Sequence, residues 1–483
     1  MTSRRRAFAV LVSWCLAEWF LRRQQLITDD WQGWRQADTL AMAQHFVEGP
    51  FYLLEPRIDW GGDGSGIVET ELALVPAVVA LAMRLIGSTD ILWPAQLLSL
   101  VAVAAAGWLT HQELARRFSA DAALLGLLAF LSVRGVVVIG TSAQPDALGL
   151  LAFAVGWWVF LRDLEAPRHR SWLIWVAATT VAGLLKPTLL SLGISQAIVA
   201  LARGRPLKRP RLWLGWLVVL GVVGLYLWHA RSLYLEHGNT FGLLSGGDSK
   251  LPTRARIVEL GRWLDLARYA IVWGTGPLAA VAAIVTLWRR RPGVEELALA
   301  LGGLAVGVVA FRYTSHKWGT HYHLPLAILG ALVVARAVEG WRTPWPLRVG
   351  AVAAVALYIR GLLFVMGLPP EPETRLGLEL AKHRQPGDLV VVRARAPGYE
   401  PEWETENNYQ DPRVFYLSDT RGWVLPNDEH APEAIGRLAE RGARYYVHVA
   451  ALALAPAQQA WLATHATLIS ETDAGTIYRL APE

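Results

Sequence analysis

Acidic side chains are concentrated in one stretch of the chain, between the first apolar segment and the next clear one. The whole chain is only 18% charged, yet this stretch holds ten carboxylates: Asp29, Asp30, Asp38, Glu48, Glu55, Asp59, Asp63, Glu69, Glu71 and Asp90. Aromatic side chains lie among them, namely Trp31, Trp34, Phe51, Tyr52 and Trp60. Carboxylates gathered at a membrane surface suit general-base or metal-assisted chemistry on a membrane-bound substrate. The alternative is a solvated connection without chemistry.

The composition of the chain predicts a membrane protein. Of its 483 residues 53% are hydrophobic, and apolar runs of about 18 or more residues match the ~30 Å hydrocarbon thickness of a bilayer. A polytopic helical membrane protein is therefore expected. The net charge of +6 indicates no nucleic-acid partner, because the arginines cluster at the ends of apolar segments. The single cysteine, Cys15, excludes an intramolecular disulfide and a cysteine-based metal site.

The N-terminal segment resembles a signal peptide, with Arg4–Arg6 before the apolar run Ala7–Leu21. It lacks a small-x-small cleavage motif, and Arg22 and Arg23 follow the run. The pattern therefore predicts an uncleaved signal-anchor helix. Its Glu18 would be costly in lipid, so this side chain is predicted to face the interior of the helix bundle.

Twelve apolar segments are candidates for crossing the membrane: 7–23, 72–87, 91–110, 121–139, 147–161, 171–186, 188–202, 211–230, 268–288, 295–311, 324–338 and 347–367. If all crossed, Arg4–Arg6 and Arg116 would lie on opposite sides, against the positive-inside rule. The weakest candidate is 72–87, which is short and contains Pro76 and Arg84. It is predicted to lie in the interface, which leaves about eleven crossings and every basic loop in the cytoplasm.

This topology predicts which segments face outward. They are the first external loop 24–90, the turns at 140–146 and 186–187, a long loop at 231–268, the segment 312–323 and everything after about 368. Residues 1–367 would form the membrane domain. Residues 368–483 would form a small external α/β domain, because short apolar strands alternate with a helix. The strands are expected at 388–393, 444–449 and 475–479, and the helix at 433–441.

The spacing of the acidic residues resembles that of a known family. Residues 34–45 have helical apolar spacing, which predicts a juxtamembrane helix with Asp38 near its start. A glycine-rich turn follows, and then Glu69 before the interfacial segment 72–87. This layout is similar to that of the GT-C glycosyltransferases. The chain most resembles their polyprenyl-phosphate-dependent branch, which includes the aminoarabinose transferases of lipid A and the protein O-mannosyltransferases of the family 39 type.

The resemblance implies roles for three carboxylates. Asp38 would be the catalytic carboxylate of the first loop, acting as general base on the acceptor hydroxyl or orienting it, and Glu69 the second acidic residue. The family often continues from this Glu with Lys-Pro-Pro, whereas Thr70-Glu71 follow here, so Glu69 and Glu71 remain alternatives. The phosphate-binding lysine must then come from elsewhere. Asp146 would match the acidic residue of the second loop. Alternatively, it is a first-turn aspartate that interacts favourably with a helix dipole.

Cationic and donor side chains predicted at the outer face would hold the phosphate leaving group. These candidates are Arg35, Arg57, Lys186, His316, Lys317, His321, Tyr322 and His323. The alternative for residues 312–323 is an interfacial belt of aromatic and basic side chains. Histidine ligation of a metal is disfavoured, because on an extended turn His321 and His323 would point apart.

The resemblance implies an inverting hexosyl- or pentosyltransferase in a bacterial inner membrane, with its active site and C-terminal domain on the periplasmic side. Its partners would be a polyprenyl-phosphate-linked sugar, a lipid, glycan or protein acceptor, and membrane lipids. Metal dependence stays open, since Asp38, Glu69 and Asp146 could hold Mg²⁺ or Mn²⁺. The alternatives are a flippase or transporter of lipid-linked sugars and an inactive scaffold of a glycan assembly complex. No convincing internal repeat supports a transporter.

Overall fold

The computed structural model of the chain describes residues 3–22, 31–88, 90–140, 142–204, 209–246, 249–289, 292–341, 343–450 and 453–481. The α-helices are α1 Ser3–Arg22, α2 Gly33–Glu48, α3 Leu74–Ile86, α4 Leu92–Ala115, α5 Ala120–Ser132, α6 Arg134–Ile139, α7 Pro145–Glu165, α8 His169–Leu185, α9 Ser191–Ala202, α10 Pro210–His237, α11 Arg254–Ile257, α12 Leu260–Tyr269, α13 Pro277–Arg289, α14 Val294–Val309, α15 Phe311–Thr314, α16 Leu326–Val338, α17 Trp345–Met366, α18 Pro372–Leu380, α19 Arg413–Ser418, α20 Pro432–Glu440 and α21 Pro456–His465. The strands are β1 Leu389–Arg393, β2 Tyr399–Glu400, β3 Thr405–Glu406, β4 Arg421–Leu425, β5 Ala443–Val449, β6 Ala466–Thr472 and β7 Gly475–Leu480.

The chain divides into two compact units, and the first is helical. It comprises Met1–Gln24, Ala95–Tyr226 and Lys250–Gly367. Within it, Glu18 of α1 is fully buried, as predicted, and lies 3.6 Å from the Arg22 guanidinium. Burial of both groups keeps this pair away from lipid.

Helices α7 and α8 are neighbours in the first unit, and their local sequence positions two charged residues. Pro145 opens α7 at a position where its missing N–H costs no hydrogen bond, and this places Asp146 in the first turn. Pro187 disfavours helical geometry at the residue before it. Lys186 is accordingly extended, with φ −163° and ψ 110°, and α8 ends at Leu185.

Several helices are long enough to cross a membrane. Among the described residues four helices have the length and apolar composition for this: α4, α7, α10 and α17. The number rises to six if each of two bent helix pairs counts as one span. Helix α3 has 13 residues and is only about 20 Å long, which is too short to cross. The predicted number of about eleven crossings stays a prediction.

Two predicted apolar segments are not single straight helices. The segment 121–139 is interrupted at Val133, whose backbone is extended. The predicted segment 268–288 contains a break. Its two parts belong to the helical stretches Leu260–Thr275 and Pro277–Trp288, which are bent by 101° relative to each other. Gly276 adopts a positive φ of 82° immediately before Pro277. A glycine with positive φ commonly ends a helix, and a proline cannot continue one, so the helical stretch before them stops here.

The predicted long loop at 231–268 is also largely helical. Helix α10 continues to His237 and ends at Gly238, which has a positive φ of 76°. Helix α12 then forms within the same stretch. Asp248, which the sequence placed in this loop, lies outside the described residues. The predicted start of the loop differs from the structure, because residues 231–237 continue the apolar helix before them.

The second unit comprises Gln25–Pro94, Leu227–Ser249 and Leu368–Glu483. Its sheet has the order β4-β1-β5-β7-β6. Strands β4, β1 and β5 are parallel, and β7 is antiparallel to both of its neighbours, β5 and β6. The three predicted strands and the predicted helix are confirmed as β1, β5, β7 and α20. Strands β4 and β6 were not predicted. Both lie at the edges of the sheet, and edge strands lack the continuous apolar run of a central strand.

Part of the first loop packs into this sheet. Ile58, Trp60 and Val68 share a buried core with side chains of β1, β4 and β5. Gly62 donates a backbone hydrogen bond to Gly422 O at 2.6 Å, and Gly422 donates to Asp59 O at 2.9 Å. The first loop thereby covers the edge strand β4. The predicted domain limits stay a prediction, and the second unit joins residues 368–483 with most of the first loop and the end of α10.

Candidate active site

Asp38 lies on α2, the helix that the sequence predicts around it. Apolar residues of this helix, including Met42 and Phe46, pack against residues of α3, and Asp38 is only 2% exposed. The Trp60 indole Nε1 donates a hydrogen bond to Asp38 Oδ1 at 3.0 Å. Asp38 Oδ2 is buried and has no hydrogen-bond partner within the part of the chain that the structure describes. One carboxylate oxygen is thus anchored, and the other is uncommitted.

The surroundings of Asp38 change its acidity. Burial raises the pKa of Asp38 well above its usual value, because the charged form is poorly solvated. The Trp60 hydrogen bond lowers this pKa, the carboxylates of Asp411 and Asp59 raise it, and Arg35 lowers it. Burial has the largest effect, so the pKa remains raised. A carboxylate with a raised pKa is a stronger base towards a hydroxyl proton.

Glu69 is buried, whereas Glu71 is not. The Glu69 carboxylate accepts hydrogen bonds from the Thr240 hydroxyl and, at 3.1 Å, from the Ser245 hydroxyl. Glu69 N donates to Asn239 O, and Phe241 N donates to Glu69 O, both at 3.0 Å. Residues just after α10 therefore hold both the side chain and the backbone of Glu69. A carboxylate fixed in this way is the better candidate for the second acidic residue.

Glu71 has a different environment. Its carboxylate oxygens accept from Arg35 Nη2 at 3.1 Å and from Thr70 Oγ1 at 3.2 Å. The Glu71 side chain is 21% exposed. The pairing of Arg35 with Glu71 gives Arg35 a structural partner in addition to its predicted role in binding phosphate.

Substitution by glutamine distinguishes the two glutamates. Glu69→Gln is expected to lower sugar transfer about 10²-fold, because it removes a buried negative charge from the proposed site. Glu71→Gln breaks only a partly exposed ion pair, so it should cost about 1 kcal/mol at most and leave transfer within a few-fold of the wild type. Initial transfer rates at matched protein levels measure both. Loss of transfer in Glu71→Gln with normal transfer in Glu69→Gln would reverse the assignment.

Asp38 and Glu69 are supported by one pair of aromatic rings. Trp60, which binds Asp38, packs edge-on against Phe241 with ring centroids 5.7 Å apart. Phe241 in turn donates its backbone N–H to Glu69 O at 3.0 Å. The structure therefore joins the two carboxylates of the first loop through Trp60 and Phe241. Arg57 lies in the same unit and forms a backbone bridge with Ile67.

A second group of charged residues lies in the helical unit. Lys186 Nζ donates to Asp146 Oδ1 at 2.5 Å, and the two residues are only 3% and 4% exposed. Lys186 Nζ also lies 4.7 Å from the centroid of the Tyr322 ring, which is within the range of a cation–π contact. The sequence placed both charged residues at outer turns and did not reveal that they form a buried pair.

The run of histidines differs from the extended turn that the sequence suggested. Residues Lys317–His323 form a short 3-10 helix, and His321 and His323 are buried. His323 Nε2 donates to Thr314 O at 3.0 Å, which commits that nitrogen to the protein backbone. In the 3-10 helix Lys317 is exposed, with Nζ 4.6 Å from the centroid of the Trp318 ring, and the His316 ring stacks on Trp318.

An apolar cleft lies beside Tyr322. Its walls include Thr188, Leu189, Tyr322 and Leu326, and the free space inside it is about that of one water molecule. Thr188 is two residues from Lys186, and Tyr322 contacts the Lys186 ammonium.

Side chains that could bind a metal ion are not grouped together in the described part of the chain. Across the described ranges no group of three or more His, Cys, Asp or Glu side chains is arranged to hold a metal ion. The sequence left open a divalent ion at Asp38, Glu69 and Asp146, and this stays untested.

Comparisons with known proteins find one family model that matches part of the chain and several solved structures with a similar fold. A family model described as dolichyl-phosphate-mannose-protein mannosyltransferase matches residues 73–228, a range that includes Asp146 and Lys186. No curated protein matches the chain by sequence. The crystal structure of ArnT from Cupriavidus metallidurans bound to undecaprenyl phosphate is similar, with a TM-score of 0.64 and 14% identity over 98% of this chain and 97% of that one.

Two larger proteins share the same fold. The arabinofuranosyltransferase AftD from Mycobacteria matches with a TM-score of 0.56 and 14% identity, covering 99% of this chain and 40% of AftD. The oligosaccharyltransferase of Archaeoglobus fulgidus matches with a TM-score of 0.56 and 12% identity, covering 98% of this chain and 73% of that one. At these identities the likeness establishes the fold.

Proposed function

We propose that this chain is a GT-C membrane glycosyltransferase that transfers a sugar from a polyprenyl-phosphate carrier to an acceptor hydroxyl at the outer face of a bacterial inner membrane. The partial match to a mannosyltransferase model and the fold shared with ArnT, AftD and the oligosaccharyltransferase support this proposal. The observation that carries this proposal is the buried Asp38 carboxylate, with one oxygen anchored by Trp60 and the other uncommitted. Such a group can bind a hydroxyl proton without losing its position.

The proposed reaction uses Asp38 as its general base. Asp38 accepts the proton of the acceptor hydroxyl, and the acceptor oxygen attacks the anomeric carbon of the sugar. The new carbon–oxygen bond forms as the bond from that carbon to the carrier phosphate breaks. The phosphate leaves with the electron pair, and the configuration at the anomeric carbon inverts. General-base assistance of this kind contributes typically ~10²–10⁴-fold to the rate.

Lys186 is the best-supported partner for the phosphate. The family's lysine after the first-loop Glu is replaced here by Thr70, so another cation is needed. Lys186 is buried, paired with Asp146 and adjacent to an apolar cleft, and a similar fold binds undecaprenyl phosphate in ArnT. In a water-poor site an ammonium group stabilises developing phosphate charge strongly. Asp146 would hold Lys186 in place.

The test is sugar transfer in membranes supplied with radiolabelled polyprenyl-phosphate sugars. Membranes containing the protein should form a labelled product, and membranes lacking it should not. Radiolabelled nucleotide sugars serve as the donor control, because they carry the same sugars without the lipid. Product formed only from nucleotide sugars would overturn the proposed donor. Movement of the labelled carrier across the bilayer without transfer would favour a flippase.

A further inference from the structure

Trp60 is the link between the C-terminal sheet and Asp38. Its indole is 6% exposed and shares a core with Val390 and Val392 of β1 and Val424 of β4. The backbone on either side of it is fixed by the hydrogen bonds of Gly62 and Asp59 to β4. The position of the indole N–H is therefore determined by the sheet of residues 389–480.

The same domain contributes a charged group that acts on Asp38. Asp411 accepts hydrogen bonds from the Arg413 guanidinium, from Nε at 2.9 Å and Nη2 at 2.6 Å, and from the Arg413 backbone N at 3.1 Å. Burial alone would raise the pKa of Asp411, but Arg413 outweighs this effect and lowers it. Asp411 is therefore ionised at neutral pH. Its negative charge raises the pKa of Asp38, and helix α19, which begins two residues after Asp411, packs against α2.

Asp411 belongs to a network that fixes its position. Arg413 Nη2 also lies 3.3 Å from Glu373 Oε2, and Arg395 bridges Glu373 and Glu371 at 2.5 and 2.6 Å. Arg413 is the first residue of α19, which packs against α2. These ion pairs, of which Arg413–Glu373 is buried, hold the segment before α19 beside the helix that carries Asp38.

The charged and titratable groups around Asp38 come from each element packed on α2. Asp59 and Arg35 act on Asp38 from the first loop and from α2 itself, and Asp411 acts from the segment before α19. Of the neighbouring groups, Arg84 of α3 donates to Gly49 O at 2.6 Å. Tyr416 of α19 has its pKa raised by burial and by the carboxylates of Asp90 and Asp59, so it stays neutral.

We propose that the C-terminal α/β domain is part of the catalytic machinery, with Trp60 orienting the Asp38 carboxylate and Asp411 presenting a negative charge to it. Both are positioning residues, and the inference rests on the proposed transfer only for its catalytic consequence. A domain with a purely structural role would leave the charge state of Asp38 unchanged when these side chains are altered. The two residues act in opposite directions, which provides a test.

The expected shifts have opposite signs. Trp60→Phe removes a hydrogen bond that favours ionised Asp38, so the pKa of Asp38 should rise by about one unit. Asp411→Asn removes a repelling charge, so this pKa should fall by about one unit. Asp411→Glu keeps the charge and should restore the wild-type value. Base catalysis requires ionised Asp38. The acid limb of the pH–rate profile should therefore shift to higher pH in Trp60→Phe and to lower pH in Asp411→Asn.

The measurement uses the full chain in detergent and needs no activity. Dicyclohexylcarbodiimide reacts with protonated carboxyls, so Asp38 labelling, quantified by peptide mass spectrometry, should fall as pH rises through its pKa. Trp461→Phe and Asp419→Asn are matched controls, since Trp461 stacks on His465 and Asp419 pairs with Arg384. Their labelling midpoints should equal that of the wild type.

The outcomes separate the two proposals. Midpoints that move in opposite directions support the coupling, and the same movement in the pH–rate profile supports its catalytic consequence. Equal midpoints in Trp60→Phe, Asp411→Asn and the wild type overturn the coupling, even where the wild type transfers sugar. Shifted midpoints in a protein that transfers no sugar from any polyprenyl-phosphate donor overturn the proposed function and leave the coupling standing.

Discussion

Replacing Asp38 with Asn should lower the rate of sugar transfer by about 10³-fold, within the range expected for losing a general base. The amide has the shape of the carboxyl and can still accept the Trp60 hydrogen bond that Oδ1 receives at 3.0 Å. It cannot take a proton from an acceptor hydroxyl. Because burial raises the pKa of Asp38, a neutral group at this position should not unfold the protein.

The measurement is the initial rate of transfer from a radiolabelled polyprenyl-phosphate sugar at matched protein levels. Asp63→Asn is the control, since Asp63 lies in the same loop and pairs with Arg441 at an exposed position. It should retain transfer within a few-fold of the wild type. Transfer by Asp38→Asn at the wild-type rate would remove Asp38 from the mechanism.

Replacing Lys186 with Met should cause the largest loss of stability. The change leaves Asp146 as a buried carboxylate without its cation, and breaking a buried pair in this way costs about 3–5 kcal/mol. Both side chains are almost fully buried, so solvent screens the loss very little. The thermal unfolding midpoint in detergent should fall by several degrees, and transfer should be lost.

A double variant separates the structural role of Lys186 from its proposed role at the phosphate. Lys186→Met combined with Asp146→Asn removes both charges and should recover much of the lost stability. It should not recover transfer, because no cation then meets the leaving group. Full transfer by the double variant would show that the pair only stabilises the helices.

Local sequence patterns predicted the elements that carry the candidate site. The helical apolar spacing of residues 34–45 identified α2, and the apolar run before Arg393 identified β1, because each element buries its own periodic face. Pro187 likewise marked the end of α8. The edge strands β4 and β6 were not predicted, because their strand conformation depends on pairing with the neighbouring strand and not on an apolar run of their own.

Contacts between distant segments had no signal in the sequence. Asp146 and Lys186 are 40 residues apart, and Asp411 is far from Asp38 along the chain. Nothing in the composition around these residues reveals the partner of each. One pairing depends on how α7 packs against α8, and the other on how α19 packs against α2. The same limit explains why Trp60 was noted only as one aromatic among several acidic residues.

The packing of Trp60 has a consequence for the order of synthesis. A ribosome makes Ile58, Trp60 and Val68 roughly 330 residues before β1, which at ~5–20 residues per second is roughly 15–65 s. During this interval the apolar side chains of the first loop lack the sheet that buries them. The Asp38 carboxylate likewise lacks a fixed indole donor. The nascent protein should therefore carry all its proposed catalytic carboxylates well before it can position them, and become active only after the last strands are made.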